Sequence, residues 1–416
     1  MNLQFDFEKS AQRLRADIDA IAVNTLPGEG VTRLPYTSYE HAAKEYLRGR
    51  MEEIGLQTHY DGVGTLIGRL EGSDPSLPAI MTGSHIDSVI NGGKYDGISG
   101  IVCGLEALRQ MKENGICPRS SIELIVFTGE EGSRFSGGLI SSRAMMGLTS
   151  REELEDCFDE DGLNLREAIT NAGYSADLIS TRLGSRKAFL ELHIEQGPIL
   201  EHEQKQIGVV KSIVGNQRLD MTIRGSAGHA GSTPMALRSD ALVSACTIIE
   251  RLDAYAKACG DGTVATVGKL KVLPGGFNII PGEVTFSLDI RSRDLAILGD
   301  MVAYIEMVAN ETKHLYHTEW SLKSYYIKEP VDMHPALQEF IRRSAEEAGF
   351  TQMDLFSGAG HDAMVIGPHL PTAMIFIPSV KGLSHRPDEY TPIEDLARGT
   401  QVLLSSLLKI DACDAL

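Results

Sequence analysis

The chain has no surplus of basic residues: 39 Lys+Arg stand against 57 Asp+Glu, giving a formal net charge of -18 and a pI near 5.1. Duplex DNA or an anionic membrane would need a basic face, so nucleic acid and membrane partners are excluded and small molecules are favoured. No stretch approaches the roughly 18 to 20 uninterrupted apolar residues of a bilayer span. The opening MNLQFDFEKSAQRLRADIDAIA carries acids through its first turns, where a signal peptide would be basic and then apolar. It reads as an amphipathic helix, and a cytoplasmic location is expected. Close cysteine pairs are missing too. Cys103, Cys117, Cys157, Cys246, Cys259 and Cys413 are scattered, without zinc-ribbon or thioredoxin spacing, and most are expected to be reduced packing residues. There are no repeats or low-complexity tracts.

What is present is ordinary globular material, 42% hydrophobic and 23% charged over 416 residues, enough for two or three domains at about 150 residues each. Short apolar runs, 79-AIMTGSHID, 122-IELIVFTGEE and 188-AFLELHIEQG, read as strands that each end in a polar cluster. Helical spacing lies between them, as in 98-ISGIVCGLEALRQMKENG with its closing Gly. Alternating β and α segments predict an α/β domain with a mainly parallel sheet, whose ligands gather beyond the carboxyl ends of the strands. The texture changes after 207-IGVVKSIVG. Strand 219-LDMTIRG, a helix over 235–259, strands over 263–272 and 283–291, and a helix over 294–313 suggest a βαββαβ-like, ferredoxin-like α+β sandwich with helices on one face. From about 330 the pattern reverts, with a helix over 334–348, the strand TAMIFIP (372–378) and a closing helix over 392–410. The expected organisation is an α/β/α domain, 1–211 and 330–416, interrupted by a smaller domain, 212–329.

The strongest chemical signal is 83-GSHIDSVINGGKYDG. His85 and Asp87 are two apart at a strand end, so they should share a side, with Asp87 placed to orient His85; the Gly-rich turn can fold Asp96 back toward them. The next strand ends at Glu130 and Glu131, which alternation aims apart, so one can ligate a metal while the other faces a water. His193 interrupts the apolar run 190-LELHIEQG, and 384-SHRP supplies His385 after the last strand. Each residue alone has a plain structural reading as a strand terminus, a core histidine or a surface histidine. Together, three His and two carboxylates on turns after separate strands suit two metal ions sharing one carboxylate better than one tetrahedral ion.

These motifs resemble the dinuclear metal-dependent peptidase and aminoacylase superfamily, and more narrowly its N-carbamoyl-L-amino-acid hydrolase, β-ureidopropionase and allantoate amidohydrolase branch. The resemblance runs through TRLPYT (32–37), GSHIDSVINGGKYDG (83–97), EEGSRF (130–135), ELHIEQGPILE (191–201), GHAGSTPM (228–235), NIIPGEVTFSLDIR (278–291), GAGHDA (358–363) and SHRPDEYT (384–391). It implies one metal held by His85, Asp96 and His193 and a second by Asp96, Glu131 and His385, with Asp96 bridging. The metals would be zinc, manganese, cobalt or nickel, since mixed His and carboxylate ligands suit each. Glu130 would be the general base that moves a proton from the attacking water to the leaving nitrogen, with Asp87 and His229 as further catalytic groups. His229, in a segment expected to open a helix, would stabilise the oxyanion, reaching a neighbouring subunit's site in a homodimer formed through the inserted lid domain. Gln196, Asn216, Asn278, Arg291 and the backbone at Gly360 resemble substrate contacts, and Arg291 can grip a carboxylate with two parallel hydrogen bonds. His361 and Asp362 fit a pair behind the ligands or a helix cap equally well.

The implied reaction is hydrolysis of the ureido C–N bond of an N-carbamoyl-L-amino acid to amino acid, carbon dioxide and ammonia. Allantoate enzymes share the metal motifs but tend to follow EEGSRF with an FWGS-type segment, whereas this chain continues SGGLISSRAMMGL (136–148). At 215-GNQR the relatives carry a longer polar side chain near Asn216, which bears on the side-chain pocket. An allantoate amidohydrolase is the first alternative; an aminoacylase or peptidase, disfavoured by ELHIEQG, is the second. A non-catalytic binding protein would have lost a ligand or the base, and none is missing. The proposed substrate is a small anion, so the acidic global charge opposes its approach and local cations must offset it.

Overall fold

The computed structural model describes residues 5–176, 185–260, 262–414 and 416, so the first four residues of the expected opening helix lie outside it. It divides into two compact units, Met1–Lys211 with Asp332–Leu416, and Ser212–Val331.

The first unit opens with helix α1 (Phe7–Ala22), started by the Asp6 side chain accepting from the Lys9 N–H, and α2 (Ser38–Glu53). Strands β1 (Gln57–Tyr60), β2 (Leu66–Leu70) and β3 (Ala79–His85) precede α3 (Ile98–Glu113); β4 (Ile122–Phe127), β5 (Arg186–Ile194) and β6 (Ile207–Ile213) follow. The second unit holds β7 (Gly215–Arg224), β8 (Gly228–His229), β9 (Val264–Thr266), β10 (Leu270–Leu273), β11 (Ile279–Ile280), β12 (Glu283–Ser292) and β13 (Glu319–Lys328), with helices Ala241–Cys259 and Leu295–Tyr316. The chain returns through β14 (Val331–Asp332), β15 (Gln352–Ser357) and β16 (Thr372–Ile377) to the closing helix Ile393–Ala412.

The large sheet runs β1-β2-β4-β3-β5-β16-β6-β14, with β15 beside β6. Its centre, β4-β3-β5-β16, is parallel, and β2 and β6 flank it antiparallel. Every residue of β3, β4 and β16 is buried, as expected of strands covered on both faces, which explains why they are mainly apolar without a two-residue alternation. In the second unit burial alternates instead. Leu219, Met221 and Ile223 of β7 and Val284, Phe286, Leu288 and Ile290 of β12 pack with Ile248, Leu252, Leu298, Met301 and Ile305 of the two helices. The opposite sheet face is polar, an antiparallel sheet covered on one side.

Several expected boundaries move. The helix foreseen from 235 begins at Ala241: Met235–Leu237 is one 3-10 turn after Pro234, and the Asp240 side chain caps the helix by accepting from Leu242 and Val243. The strand foreseen over 263–272 breaks into β9 and β10, and between them the Lys269 N–H turns to the Ser287 hydroxyl. The strands β1, β13 and β15 were not foreseen; in β13 the alternation begun by Trp320 and Leu322 is interrupted by a register shift between Ser324 and Tyr326. Only Cys103 of the six cysteines is fully buried, and Cys117 and Cys246 are exposed, so most are not core packing residues. No described helix is long and apolar enough to cross a membrane.

Candidate metal centre

The parallel centre of the large sheet puts the ends of β3, β4, β5 and β16 side by side, and the chemistry collects there. His85 is the last residue of β3 and His193 is the penultimate residue of β5; both are buried. Asp96 sits in the turn before α3, Glu130 and Glu131 follow β4, and His385 follows β16. Donor atoms of His85, Asp96 and His193, and of Asp96, Glu131 and His385, form two groups whose members lie within 4.8 Å of one another.

Asp96 is the hinge of both groups. Its Oδ1 is 3.1 Å from His193 Nε2 and 3.6 Å from His85 Nε2, while its Oδ2 is 3.2 Å from His385 Nε2. Glu131 Oε2 lies 3.5 Å from the same His385 nitrogen. The two buried histidines are oriented from behind, Nδ1 of His85 on the Asp87 backbone carbonyl at 3.1 Å and Nδ1 of His193 on the Ile194 carbonyl at 2.9 Å, so each ring turns Nε2 inward. Gly97 makes the approach possible. It has φ 67°, and a Cβ there would come within 2.4 Å of the His85 carbonyl and 2.5 Å of its ring.

Asp87 differs from expectation. β3 ends at His85, so strand alternation stops before it, and its carboxylate turns to the neighbouring loop instead. Oδ1 accepts from the N–H groups of Gly129 (2.8 Å) and Glu130 (3.0 Å), and Oδ2 accepts from Glu131 (3.1 Å). Asp87 therefore meets His85 through its backbone carbonyl, keeps its Oδ1 3.9 Å from His85 Nδ1, and fixes the Glu130–Glu131 turn with its side chain. Arg33, which sequence reasoning missed, is fully buried and donates through Nε to the Ile86 carbonyl at 2.7 Å, pinning the residue between His85 and Asp87. Burial lowers its guanidinium to about 10, against the pull of Asp87 and Glu40. No spacing in TRLPYT announces that role.

The electrostatics follow from crowding. Burial opposes ionisation of Asp96, yet hydrogen bonds from His193, His385 and His85 hold its carboxyl well below the usual range. His385 is raised to about 9, chiefly by its hydrogen bond to Asp96. His85 is also raised, because the Asp96 bond and the charges of Glu130 and Asp87 outweigh burial. Burial pushes Glu131 up to about 7, with the Asp96 charge adding to it. Glu130 is also raised, first by burial, with Glu131 and Asp362 adding and His85 opposing.

The donors fit divalent cations. Three imidazoles and two carboxylates converge, Asp96 offers one oxygen to each group, and Glu131 Oε1 is buried without a hydrogen-bond partner. Behind them, the His361 ring packs edge-on against His193 at 4.6 Å and shares a 2.7 Å hydrogen bond with Ser357. It precedes the short helix Asp362–Ile366 without making a side-chain cap. Asp362 is buried, and burial with the nearby Glu191 charge raises it to about 8. Gln196, at φ 55°, donates to Asp96 Oδ2 at 2.9 Å, which draws it into the cluster. Gly360 is exposed in the loop after β15. Ser384 and Glu389, which join the Asp96 and His385 loops, were not foreseen either.

The remaining foreseen residues lie in the second unit. Exposed His229 belongs to the two-residue strand β8, paired with β11, and opens no helix, because Pro234 and the Asp240 cap delay the helix to Ala241. Its Nδ1 accepts from the N–H groups of Gly231 (3.0 Å) and Ser232 (3.2 Å), which leaves the ring hydrogen on Nε2 as a donor. Exposed Asn278 offers its backbone carbonyl to the Ala230 N–H at 2.9 Å, closing that turn. On the polar sheet face Asp289 accepts from Asn216 (2.9 Å), Arg218 (3.0 Å) and Arg291, whose Nε and Nη2 lie at 2.7 and 3.2 Å.

The chain resembles known proteins over most of its length. The family model described as peptidase family M20/M25/M40 matches residues 81–409. An N-carbamoyl-L-amino-acid amidohydrolase of Paenarthrobacter aurescens is 43% identical over 404 residues, 96% of this chain and 98% of that protein. An allantoate amidohydrolase of Bacillus subtilis (strain 168) is 38% identical over 386 residues, 92% of this chain and 93% of that protein. The crystal structure of an amidase of the hydantoinase/carbamoylase family from Burkholderia multivorans superposes with a TM-score of 0.92 at 33% identity, covering 100% of both chains.

Proposed function

The chain belongs to peptidase family M20/M25/M40, a metal-dependent hydrolase family, and from that membership we propose that it is an N-carbamoyl-L-amino-acid amidohydrolase. The convergence of His85, Asp96, His193, Glu131 and His385 at the ends of four adjacent strands carries the reading. His85, Asp96 and His193 would hold one divalent ion, and Asp96, Glu131 and His385 a second; zinc, manganese, cobalt and nickel all suit these donors. Bound there, the ions supply a water of lowered pKa and polarise the substrate carbonyl.

The rest is done by side chains. Glu130, beside Glu131 and held by Asp87, takes the proton of the attacking water and returns it to the departing amino nitrogen. His229 presents an Nε2 hydrogen to the oxyanion, with its ring held by two backbone N–H groups. Arg291 takes the substrate carboxylate, while Gln196, Asn216, Asn278 and the Gly360 backbone supply further contacts. Water adds to the ureido carbon and the bond to the amino-acid nitrogen breaks, leaving the amino acid and carbamate, which decomposes to carbon dioxide and ammonia. A homodimer formed through the second unit, acting as lid and bringing His229 to a neighbouring site, belongs to the same reading. So does a cytoplasmic location, which rests on the scattered cysteines.

Allantoate hydrolysis is the second reading, favoured by the 38% identity to the Bacillus subtilis enzyme. The test is a panel of N-carbamoyl-L-amino acids, 3-ureidopropionate, allantoate and N-acetyl amino acids, assayed on the EDTA-stripped chain with zinc, manganese, cobalt or nickel restored. Carbamoyl amino acids should be turned over fastest. Preference for allantoate would install the second reading, and comparable cleavage of N-acetyl amino acids would overturn both.

A further inference from the structure

Resting on the two-ion reading above, we infer that Glu389, a member of neither candidate ligand group, is the positioning residue that locks the shared ligand Asp96 and the His385 loop together. Glu389 is 4% exposed, and both of its oxygens are engaged. Oε1 accepts from the backbone N–H groups of Tyr95 and Asp96, each at 3.0 Å. Oε2 accepts from the Ser384 hydroxyl at 2.6 Å, and that hydroxyl lies 3.2 Å from Asp96 Oδ2. Ser384 is the residue before His385. One carboxylate thus ties the backbone of one ligand to the neighbour of another, across a sequence separation of 293 residues.

Two further observations show that the approach is built in. A Cβ on Gly93 would fall 2.2 Å from Glu389 Oε1 and 2.3 Å from its Cδ, so that position accommodates no side chain while Glu389 is seated. The rings of Tyr95 and Tyr390 meet edge-on at 5.8 Å and join the same two loops beside the carboxylate.

The two ligand groups depend on this lock unequally. His85 and His193 are buried on strands and oriented by backbone carbonyls, so the first group hangs on Glu389 only through Asp96. In the second group both Asp96 and His385 hang on it. The His385 side chain is 51% exposed and its backbone is left-handed at φ 59°, so its own packing does little to hold it. Losing Glu389 should therefore release the second ion and spare the first.

The test titrates Co2+ into the EDTA-stripped full chain, read by calorimetry and by visible absorption of the bound ion, with thermal melting as the folding control. Two ions should bind the unaltered chain. Glu389→Ala should weaken the second about 10–100-fold and the first by no more than about threefold. Glu389→Gln keeps an acceptor for the two N–H groups and offers its amide to the Ser384 oxygen, so it should restore both affinities. Ser384→Ala, which leaves the Glu389 bonds to the two N–H groups and removes the hydroxyl with its links to Glu389, Asp96 and Gln196, should weaken the second ion alone at an unchanged melting temperature. Two ions bound with unaltered affinity in Glu389→Ala and Ser384→Ala would overturn the inference and leave the two-ion reading standing. A single ion on the unaltered chain would overturn both.

Discussion

The metal cluster and the polar sheet face of the second unit are both candidate chemistry, but they are built in opposite ways. In the first unit His85, Asp96 and His193 are buried, and non-ligand carboxylates grip the loops between them by main-chain N–H groups, as Asp87 does for residues 129–131. On the second unit His229 and Asn278 are exposed, and Arg291, Arg218 and Asn216 gather on one half-exposed carboxylate, Asp289. The charge differs as well. The inserted unit carries 12 Lys+Arg against 13 Asp+Glu, so almost all of the -18 belongs to the unit with the cluster. A multivalent cation needs fixed donors and is helped by a negative field; a small anion needs a few presented donors and a neutral surround. Substitutions in the two regions should accordingly divide into those that change metal binding or proton transfer and those that change substrate binding.

The largest test of that division is Glu130→Gln. If Glu130 is the general base and not a ligand, the substitution should lower kcat about 10²–10⁴-fold with metal affinity unmoved. Near-normal turnover would remove Glu130 from its role. Next comes His229→Ala, expected to cost about 10²–10³-fold in kcat through a lost oxyanion donor, again with metal affinity unmoved. A coupled fall in metal affinity would show the two regions to be less separate than drawn. Arg291→Lys should raise KM for carbamoyl amino acids about tenfold with kcat little changed, since the charge stays while the guanidinium that Asp289 orients through Nε and Nη2 is lost.

Much of this could be read from the chain alone, for a physical reason. Strands covered on both faces are mainly apolar, so polar clusters at their ends stand out, and His85, Glu130, Glu131 and His193 are legible against β3, β4 and β5. The alternation of β7 and β12 was equally legible. Main-chain partners left no trace. Alternation does not continue past His85, so it does not announce that Asp87 binds the N–H groups of 129–131, and Glu389 is silent because two of its three partners are amide groups, which every residue but proline carries. GHAGSTPM reads as a segment that opens a helix after a strand, whereas Pro234 and the Asp240 cap move the helix start to Ala241.

The smallest expected effect concerns salt, and it draws on the uneven charge. A carbamoyl amino acid is an anion approaching a chain whose acidity lies in one unit, so long-range repulsion and the local attraction of Arg291 act together. At 0.15 M salt the Debye length is about 8 Å, which screens the distant acids but not a contact between guanidinium and carboxylate. Raising the ionic strength from 20 to 200 mM should therefore lower KM by about two- to threefold, and should leave it unchanged for the uncharged amide of the same substrate. Steady-state kinetics on the two compounds checks this directly. A KM that climbs with salt for the acid alone would mean that attraction at the second unit's face outweighs the field of the first, and the neutral surround inferred there would have to be replaced by a basic one.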